Sequence, residues 1–578
     1  MKKIRALCKS CSLNALSILI LLATLGEPQA GIAQIVDLDK FVYLPLVAGS
    51  SNLAAGIPAS RRMDWKPGIP GGIPNRTEIC ATADAATYGN GSTDATAYIQ
   101  GLIDACPPGE VVYLPAGDYR LSDSLLLNHS ITLRGAGPGV TRIHAANDTR
   151  SFLIGGWNDW LYNDGGTNLI ADAPRGSTQI TVASTAGITA PGFILIDQVD
   201  NTQVWRYDCW YLKRQTSSNP DEINRSIGQI AEVIAIDGNT LTLADPLNWS
   251  YTTALAAQVV PTELIRDIGM EDLTVVGGSG IYMWAAYSWI KNIESDTLNV
   301  GGTHVEMNGC YRCVVRDSYV HHSHNYAAGG NAYGIDIAAH TTNSLVENNI
   351  AYYLNKPIVA NVTGGGNVIA YNYTDDGISG QDPTWMDFNL DAVHCSTPVF
   401  DLYEGNWAPK FGAANTHGNG LYITFYRNYG SSRNLTLGTV QEGNVAAFEM
   451  EAYHRYFNLV GNVLWESGRS GNFEANGDTY ENCVTPSVFR IGGFSNEDMC
   501  DFSDQANATA SLLRHGNFDY FTNSTIWDPN ISNHTLPASL YLTQKPAFFG
   551  SNPWPWVGPD LNPMVGTLPA KQRFDSMQ

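Results

Sequence analysis

The stretch Val346-Glu-Asn-Asn-Ile-Ala-Tyr-Tyr353 sets an asparagine between apolar residues on alternate positions. The same frame returns as IAYNYT at Asn372, LYEGNW at Asn406, TFYRNY at Asn428 and LVGNVL at Asn462. Upstream it reads MEDLTV at Asp272, IKNIES at Asn292 and VRDSYV at Asp317. From Asp272 to Asn462 the steps are 20, 25, 32, 23, 34, 22 and 34 residues. Self-similarity at a period of about 20 to 30 residues marks a stacked solenoid. Apolar residues alternate on both sides of each Asx (Val346 and Ile350, Ile369 and Tyr373, Phe425 and Tyr429), and no unit holds a helix-length run. Period-2 patterning around a sharp bend predicts strands. The fold is therefore read as all-β, a parallel β-helix, with Asx side chains stacked at equivalent corners. Asn tolerates unusual turn dihedrals, and stacked amides pair from rung to rung.

The N-terminal thirty residues read as a secretory signal. Lys2, Lys3, Arg5 and Lys9 precede an apolar run from Leu13 to Leu25, and Pro28-Gln29-Ala30 supplies a small-residue cleavage site. Residues 31–75, with FVYLPLVAGSS and GIPGGIP, read as a linker. Residues 76–149 hold a helix capped by Ser92, Thr93 or Asp94, with Ala97, Ile99, Leu102, Ile103 and Cys106 on its apolar face, and then three short strands. The strands are VVYLP, DYRLS and SITLRG. Asp94, Val112, Tyr113, Leu114, Pro115, Gly117, Tyr119 and Thr132-Leu-Arg-Gly-Ala-Gly137 resemble the N-terminal motif of the pectate-lyase-like superfamily of right-handed parallel β-helices. That resemblance, to a superfamily of pectate lyases, polygalacturonase-like hydrolases, epimerase-like proteins and tailspikes, implies the cap and first rungs; fold does not transmit activity.

Residues 150–260 break the rung rhythm. Short alternating runs and the turn Asp237-Gly238-Asn239 predict an inserted β subdomain, with Trp205, Tyr207, Trp210 and Tyr211 between its strands. Residues 261–525 carry the repeat, and RHGNFDY near Asn517 offers one more rung. The aromatic, Pro-rich tail, 526–578, is expected to lie along the helix and shield its open end.

The formal charge of −22 argues against nucleic acid and anionic membranes as partners. Once the leader is removed, eight of ten cysteines remain, an even number suited to an oxidising, extracellular compartment. Cys80–Cys106 and Cys483–Cys500 each close a local loop and are the expected disulfides. Cys310-Tyr-Arg-Cys313 has metal or redox spacing, but it lacks a second ligand pair and sits in a rung.

The oversized steps locate the chemistry. They place three loops on one side, Val320–His340, Thr374–Cys395 and Gly430–His454, between one rung's last strand and the next rung's first. There the histidines and acids collect. Relative to the rung Asn, His394 stands at −12 and His417 at −11, which predicts neighbouring imidazoles. The expected catalytic residues are His394, His417, Asp387, Asp391 and Tyr333. His322, His324, Lys410 and Trp385 are expected to bind substrate, and Asp375 and Asp376 to hold Ca²⁺; no organic cofactor is expected. A base, an acid and a cation suit β-elimination beside a uronate carboxylate. Paired aspartates suit glycoside hydrolysis. The expected protein is a secreted polysaccharide lyase acting on an extended acidic polysaccharide; a hydrolase or a non-catalytic, adhesive β-helix is the alternative. Arg427 and Glu404, near the Asx corner, read as structural.

Overall fold

The computed structural model describes residues 32–37, 40–45, 55–146, 148–157, 166–206, 225–327, 329–379, 382–434, 443–494 and 500–578. The expected leader, residues 1–30, lies outside the described residues, as do Tyr207, Trp210, Tyr211 and Glu442. The chain divides into two units, Met1–Asn52 and Leu53–Gln578. In the first, Ile32–Asp37 pairs antiparallel with Lys40–Pro45, so this part of the expected linker is a hairpin.

The second unit is a right-handed parallel β-helix. Each coil supplies three strands, as in Val314–Arg316, Tyr319–Ser323 and Tyr333–Ala338. Each pairs in parallel with its counterpart one coil on: Val314 with Leu345, Tyr319 with Ile350, Tyr333 with Lys356. The third strands form a sheet of 11. Inward side chains stack in columns; Val315, Val346, Ile369, Tyr403, Phe425 and Leu459 are all essentially buried. Each such side chain contributes about 1.5–3 kcal/mol relative to exposure.

The corner between the first and second strands has a finer register than the repeat suggests. A left-handed residue makes the bend: Asp272, Asn292, Asp317, Asn348, Tyr371 and Arg427 have φ between 51° and 58°, and glycine serves at 405, 461 and 516. The ladder is formed by the residue after it. Asn406 Oδ1 accepts both the backbone N–H of Asn372 at 2.9 Å and its Nδ2 at 3.0 Å, and Asn406 Nδ2 donates to Ile369 O at 2.9 Å. Asn349, Asn372, Asn428 and Asn462 repeat this pattern, and Asn517 ends it. Asp272, Asn292 and Asp317 thus sit at the bend, one residue before the ladder. Ser318 takes the ladder position in its coil and accepts from Ile293 N. The step from Asp317 to its equivalent, Asn348, is 31 residues.

Tyr333–Ala338, Leu390–Cys395 and Ala446–Met450 are third strands, not loop. Their inward residues (Ile335 and Ile337, Leu390, Phe448 and Met450) are core, while their outward positions are polar. The long connectors lie within a coil, between its second and third strands.

The helix Thr96–Ala105 turns Ile99 and Ile103 into the core and leaves Ala97 exposed; Asp94 Oδ1 accepts from Thr96 N at 3.1 Å. Cys80–Cys106 and Cys483–Cys500 are disulfides, and Cys395 is also disulfide-bonded. Cys310 and Cys313 are buried free thiols that donate to Met283 O and Ala285 O. Strands from Thr167 to Thr262 form a six-stranded antiparallel sheet, β-bonded as predicted around Asp237-Gly238-Asn239. This sheet grips the turn that follows the third strands: Asp245 takes the Arg312 guanidinium at 2.5 and 2.6 Å, and Asn248 Nδ2 donates to the carbonyls of Gly364 and Gly365.

Residues 55–75 are docked rather than linking. Trp65 is buried and donates to Phe400 O at 2.9 Å, and Gly68 N donates to Asn343 O. The Pro/Gly composition read as a linker, but Ile57 and Trp65 give it an apolar face. The C-terminal tail runs along the Asx corner. Trp556 Nε1 donates to Gly405 O at 2.8 Å, and Arg427 grips Asp560 at 2.8 and 2.9 Å. Glu404 accepts from Tyr371 OH and Leu540 N. Arg427 and Glu404 therefore hold the tail. Among the described residues, no helix is long and apolar enough to cross a membrane.

Candidate active site

The outer face of the third sheet carries acids in register, where a strand pattern reserves alternate positions for the exterior. Glu306 pairs with Asp336, Asp336 with Val359, Val359 with Asp391, Asp391 with Gly412 and Gly412 with Glu449. Rungs are about 4.8 Å apart, so the row runs lengthwise along the molecule. Long connectors border one side. On the other, the inserted subdomain reaches in through Trp205, which stacks on Tyr453 at 4.5 Å; its carbonyl accepts from Ser396 Oγ at 2.6 Å.

On this face the polar groups converge on Lys356, a residue that no motif marks in the sequence. Its ammonium lies 3.1 Å from Asp387 Oδ1 and 3.0 Å from Asp391 Oδ2. Burial acts against its charge, but the two aspartates prevail and raise its pKa above the ordinary lysine value. Asp391 is wholly buried. Burial alone would raise its pKa; Lys356 and then His394 outweigh that and hold it well below the carboxylate range. Its Oδ1 also accepts from Ala414 N at 3.1 Å.

His394 Nδ1 is 3.7 Å from Asp391 Oδ2, and Nε2 is 3.2 Å from Tyr333 OH. The phenol is 6% exposed, and burial pushes its pKa up, keeping it protonated. His417 stands edge-on to His394 with ring centres 5.1 Å apart, and its N–H donates to the His394 carbonyl. Tyr333, Lys356, Asp387, Asp391, His394 and His417 thus form one connected group, with Asp387, His394 and His417 its more accessible members.

The remaining candidates lie elsewhere. Lys410 is fully buried, paired with Glu449 and set over the Phe388 ring at 4.4 Å, so it cannot meet substrate. Glu449 is shared with Arg490 at 3.1 Å. Beside it, Glu451 is pushed well up by burial and by the Glu449 charge. Trp385, half-buried, forms a bridge to Gly443. Asp375 and Asp376 are buried; Asp375 accepts from Tyr373 OH and from Asp376 N, both at 2.9 Å. They present no open pair of carboxylates to a calcium ion. His324 is exposed, and His322 joins His321 and Asp296 in a separate cluster. Asn355-Lys-Pro357 carries turn-forming residues, yet Lys356 opens the strand Lys356–Asn361.

Residues 81–184 match the model of the family described as rhamnogalacturonase A/epimerase, pectate lyase-like. Among solved structures the chain is similar to the tailspike of Pseudomonas phage phi297, with 14% identity over 75% of each chain and a TM-score of 0.41. It is similar also to the A-module of a mannuronan C-5 epimerase from Azotobacter vinelandii, with 13% identity over 71% of this chain and 95% of that one and a TM-score of 0.29. A polygalacturonase from Erwinia carotovora matches at 10% identity over 75% and 99%, with a TM-score of 0.29. No curated protein sequence matches.

Proposed function

We propose that this pectate-lyase-like β-helix is an exported polysaccharide-degrading enzyme that cleaves a uronate-containing chain by β-elimination on the outer face of its third sheet. The observation that carries the reading is the Tyr333–His394 contact at 3.2 Å, backed by Asp391 and Lys356. Elimination needs a base for the proton on C5, beside the carboxylate, and an acid for the leaving oxygen on C4. The C5–H electrons form the C4–C5 double bond as the C4–O bond breaks, and the departing oxygen takes a proton. His394 is the base. Tyr333, kept protonated by burial, is the acid. Asp391, held ionised, favours the imidazolium that forms, and His417 in its protonated form meets the uronate carboxylate. A row of polar positions running along stacked rungs suits a chain of sugars.

A hydrolase needs two carboxylates flanking the bond, one of them protonated. Asp391 and Glu451 are too deeply buried to meet a glycosidic oxygen, which among the described acids of this group leaves Asp387. That favours elimination. A purely adhesive β-helix has no need for His394, His417 and Asp387 to gather at one point. The test is incubation with a panel of uronate polymers, following ultraviolet absorbance of the unsaturated end beside new reducing ends. Both signals should rise together. Reducing ends without absorbance would replace the lyase with a hydrolase, and binding without either signal would leave only adhesion.

A further inference from the structure

A second cluster lies on the same loop-bearing edge, upstream of Tyr333, and nothing in the proposed elimination uses it. Asp296, His321 and His322 bring one ligand atom each to within 4.8 Å of one another, the one such group of three among the described residues. The convergence is built by the backbone. Asp296 and His321 are direct partners in neighbouring parallel strands. Successive residues of a strand point to opposite faces, but His322 has φ of 59°, a conformation unusual outside glycine. That bend returns its ring to the side of His321, and the two Nδ1 atoms face each other at 2.8 Å. Asp296 Oδ1 is 3.4 Å from His321 Nδ1.

We propose that Asp296, His321 and His322 bind one divalent transition-metal ion of the zinc class. Ligands at 2.0–2.1 Å in tetrahedral array stand about 3.3 Å apart, and the 2.8 and 3.4 Å separations bracket that spacing. Two imidazoles and a carboxylate select zinc, cobalt or iron over calcium, which takes six or more oxygens. The supporting shell is present. His321 turns its other nitrogen, Nε2, to Glu294 Oε1 at 3.3 Å, and Thr274 OH donates to Glu294 at 2.7 Å. A carboxylate behind a ligating histidine fixes its ring and its tautomer. Thr297 OH donates to Asp296 Oδ1 at 2.7 Å. Ring packing holds the pair: His321 stacks on Tyr319 with centres 4.0 Å apart and His322 on Tyr353 at 5.1 Å. The Asp296 side chain remains 35% exposed, so an ion can enter and keep a fourth position for water or for an oxygen of a bound chain.

The experiment uses the full exported chain without an affinity tag, stripped of metal and titrated calorimetrically with Zn²⁺ alone, with Co²⁺ absorbance as an independent report of nitrogen ligation. One equivalent should bind. His322→Gln and Asp296→Asn should each weaken binding by about 100-fold and abolish the Co²⁺ visible bands, and Glu294→Gln should weaken it by about 10-fold. His324→Gln, at an exposed neighbour, should change neither. Circular dichroism and the metal-free melting temperature, unchanged in each variant, confirm that folding is intact. The site is overturned if the wild-type chain binds no Zn²⁺, if His322→Gln and Asp296→Asn bind as the wild type does, or if Ca²⁺ competes at equal concentration. Loss of lyase activity plays no part in these readouts, so failure here leaves the elimination chemistry standing, and the reverse.

Discussion

At Tyr333 the phenol is buried, keeps its proton and touches His394. Tyr333→Phe removes one oxygen and little volume. Turnover on a uronate polymer should fall by about 100-fold or more, the usual worth of a positioned acid, while the melting temperature stays near the wild-type value. An unchanged turnover number would remove Tyr333 from the chemistry. A different residue governs a pH effect. Asp401 is fully buried, accepts from Thr363 OH at 2.5 Å and from both nitrogens of Asn367, and burial raises its pKa to about 7. The folded state then keeps a proton that the unfolded state releases near pH 4. Stability from this residue is complete below that value and is lost as pH rises towards 7. Asp401→Asn should therefore gain on the wild type by about 2–3 kcal/mol between about pH 5 and pH 8. Urea midpoints at the two pH values check this, and parallel behaviour of both proteins would refute it. Some of this site was legible in sequence. The offsets of His394 and His417 from their rung asparagines, −12 and −11, put the rings on adjacent coils, and they meet at 5.1 Å. Lys356 was not legible, since neither spacing nor motif marks an ammonium whose partners lie 31 and 35 residues further on.

At the scale of elements, the ladder ties coils through side chains that also satisfy buried backbone. Asn406 accepts from Asn372 N and Nδ2, and donates to Ile369 O and to Asn428 Oδ1. Asn406→Ala leaves several of these groups unpaired in a dry interior, where each costs about 1–3 kcal/mol. A loss of about 3 kcal/mol or more in unfolding free energy is expected. Asn406→Asp should be no better, because it cannot donate and would carry charge into the core. A loss under about 1 kcal/mol, measured by chemical denaturation, would show that water or relaxation replaces the ladder. The repeat was readable because its period is short and its frame chemically distinctive. Its phase was off by one in the early coils, since Asp and Asn favour both the left-handed bend and the ladder place beside it. The third strands were hidden for a related reason. Their outward positions hold Tyr, Asp, His and Glu, which read as loop, and only two or three inward apolar residues mark each strand.

For the molecule as a whole, a solenoid couples each coil only to its neighbours, and the C-terminal tail breaks that rule. Arg573 donates to Asp317 O at 2.9 Å and to Asn348 O, Tyr541 OH to Glu347 at 2.7 Å, Trp554 Nε1 to Tyr371 OH at 2.9 Å and Trp556 Nε1 to Gly405 O at 2.8 Å. One segment thus fastens coils from Asp317 to Arg427. It also covers Tyr371, Leu402 and Tyr426, which form one apolar cluster with Trp556 and Phe574. A chain ending at Ile526 should expose that cluster and lose the long-range coupling, so unfolding should begin at lower temperature and spread over a wider range. Trp556→Ala is the milder form of the same test. The indole is 1% exposed and stacks on Trp407 with centres 5.7 Å apart, so its removal should cost about 3–5 kcal/mol and leave the transition a single step. Calorimetry of the three proteins distinguishes the effects. If the truncated chain melted as sharply and at the same temperature as the full one, the tail would be a passenger, and the coils alone would account for the fold's stability.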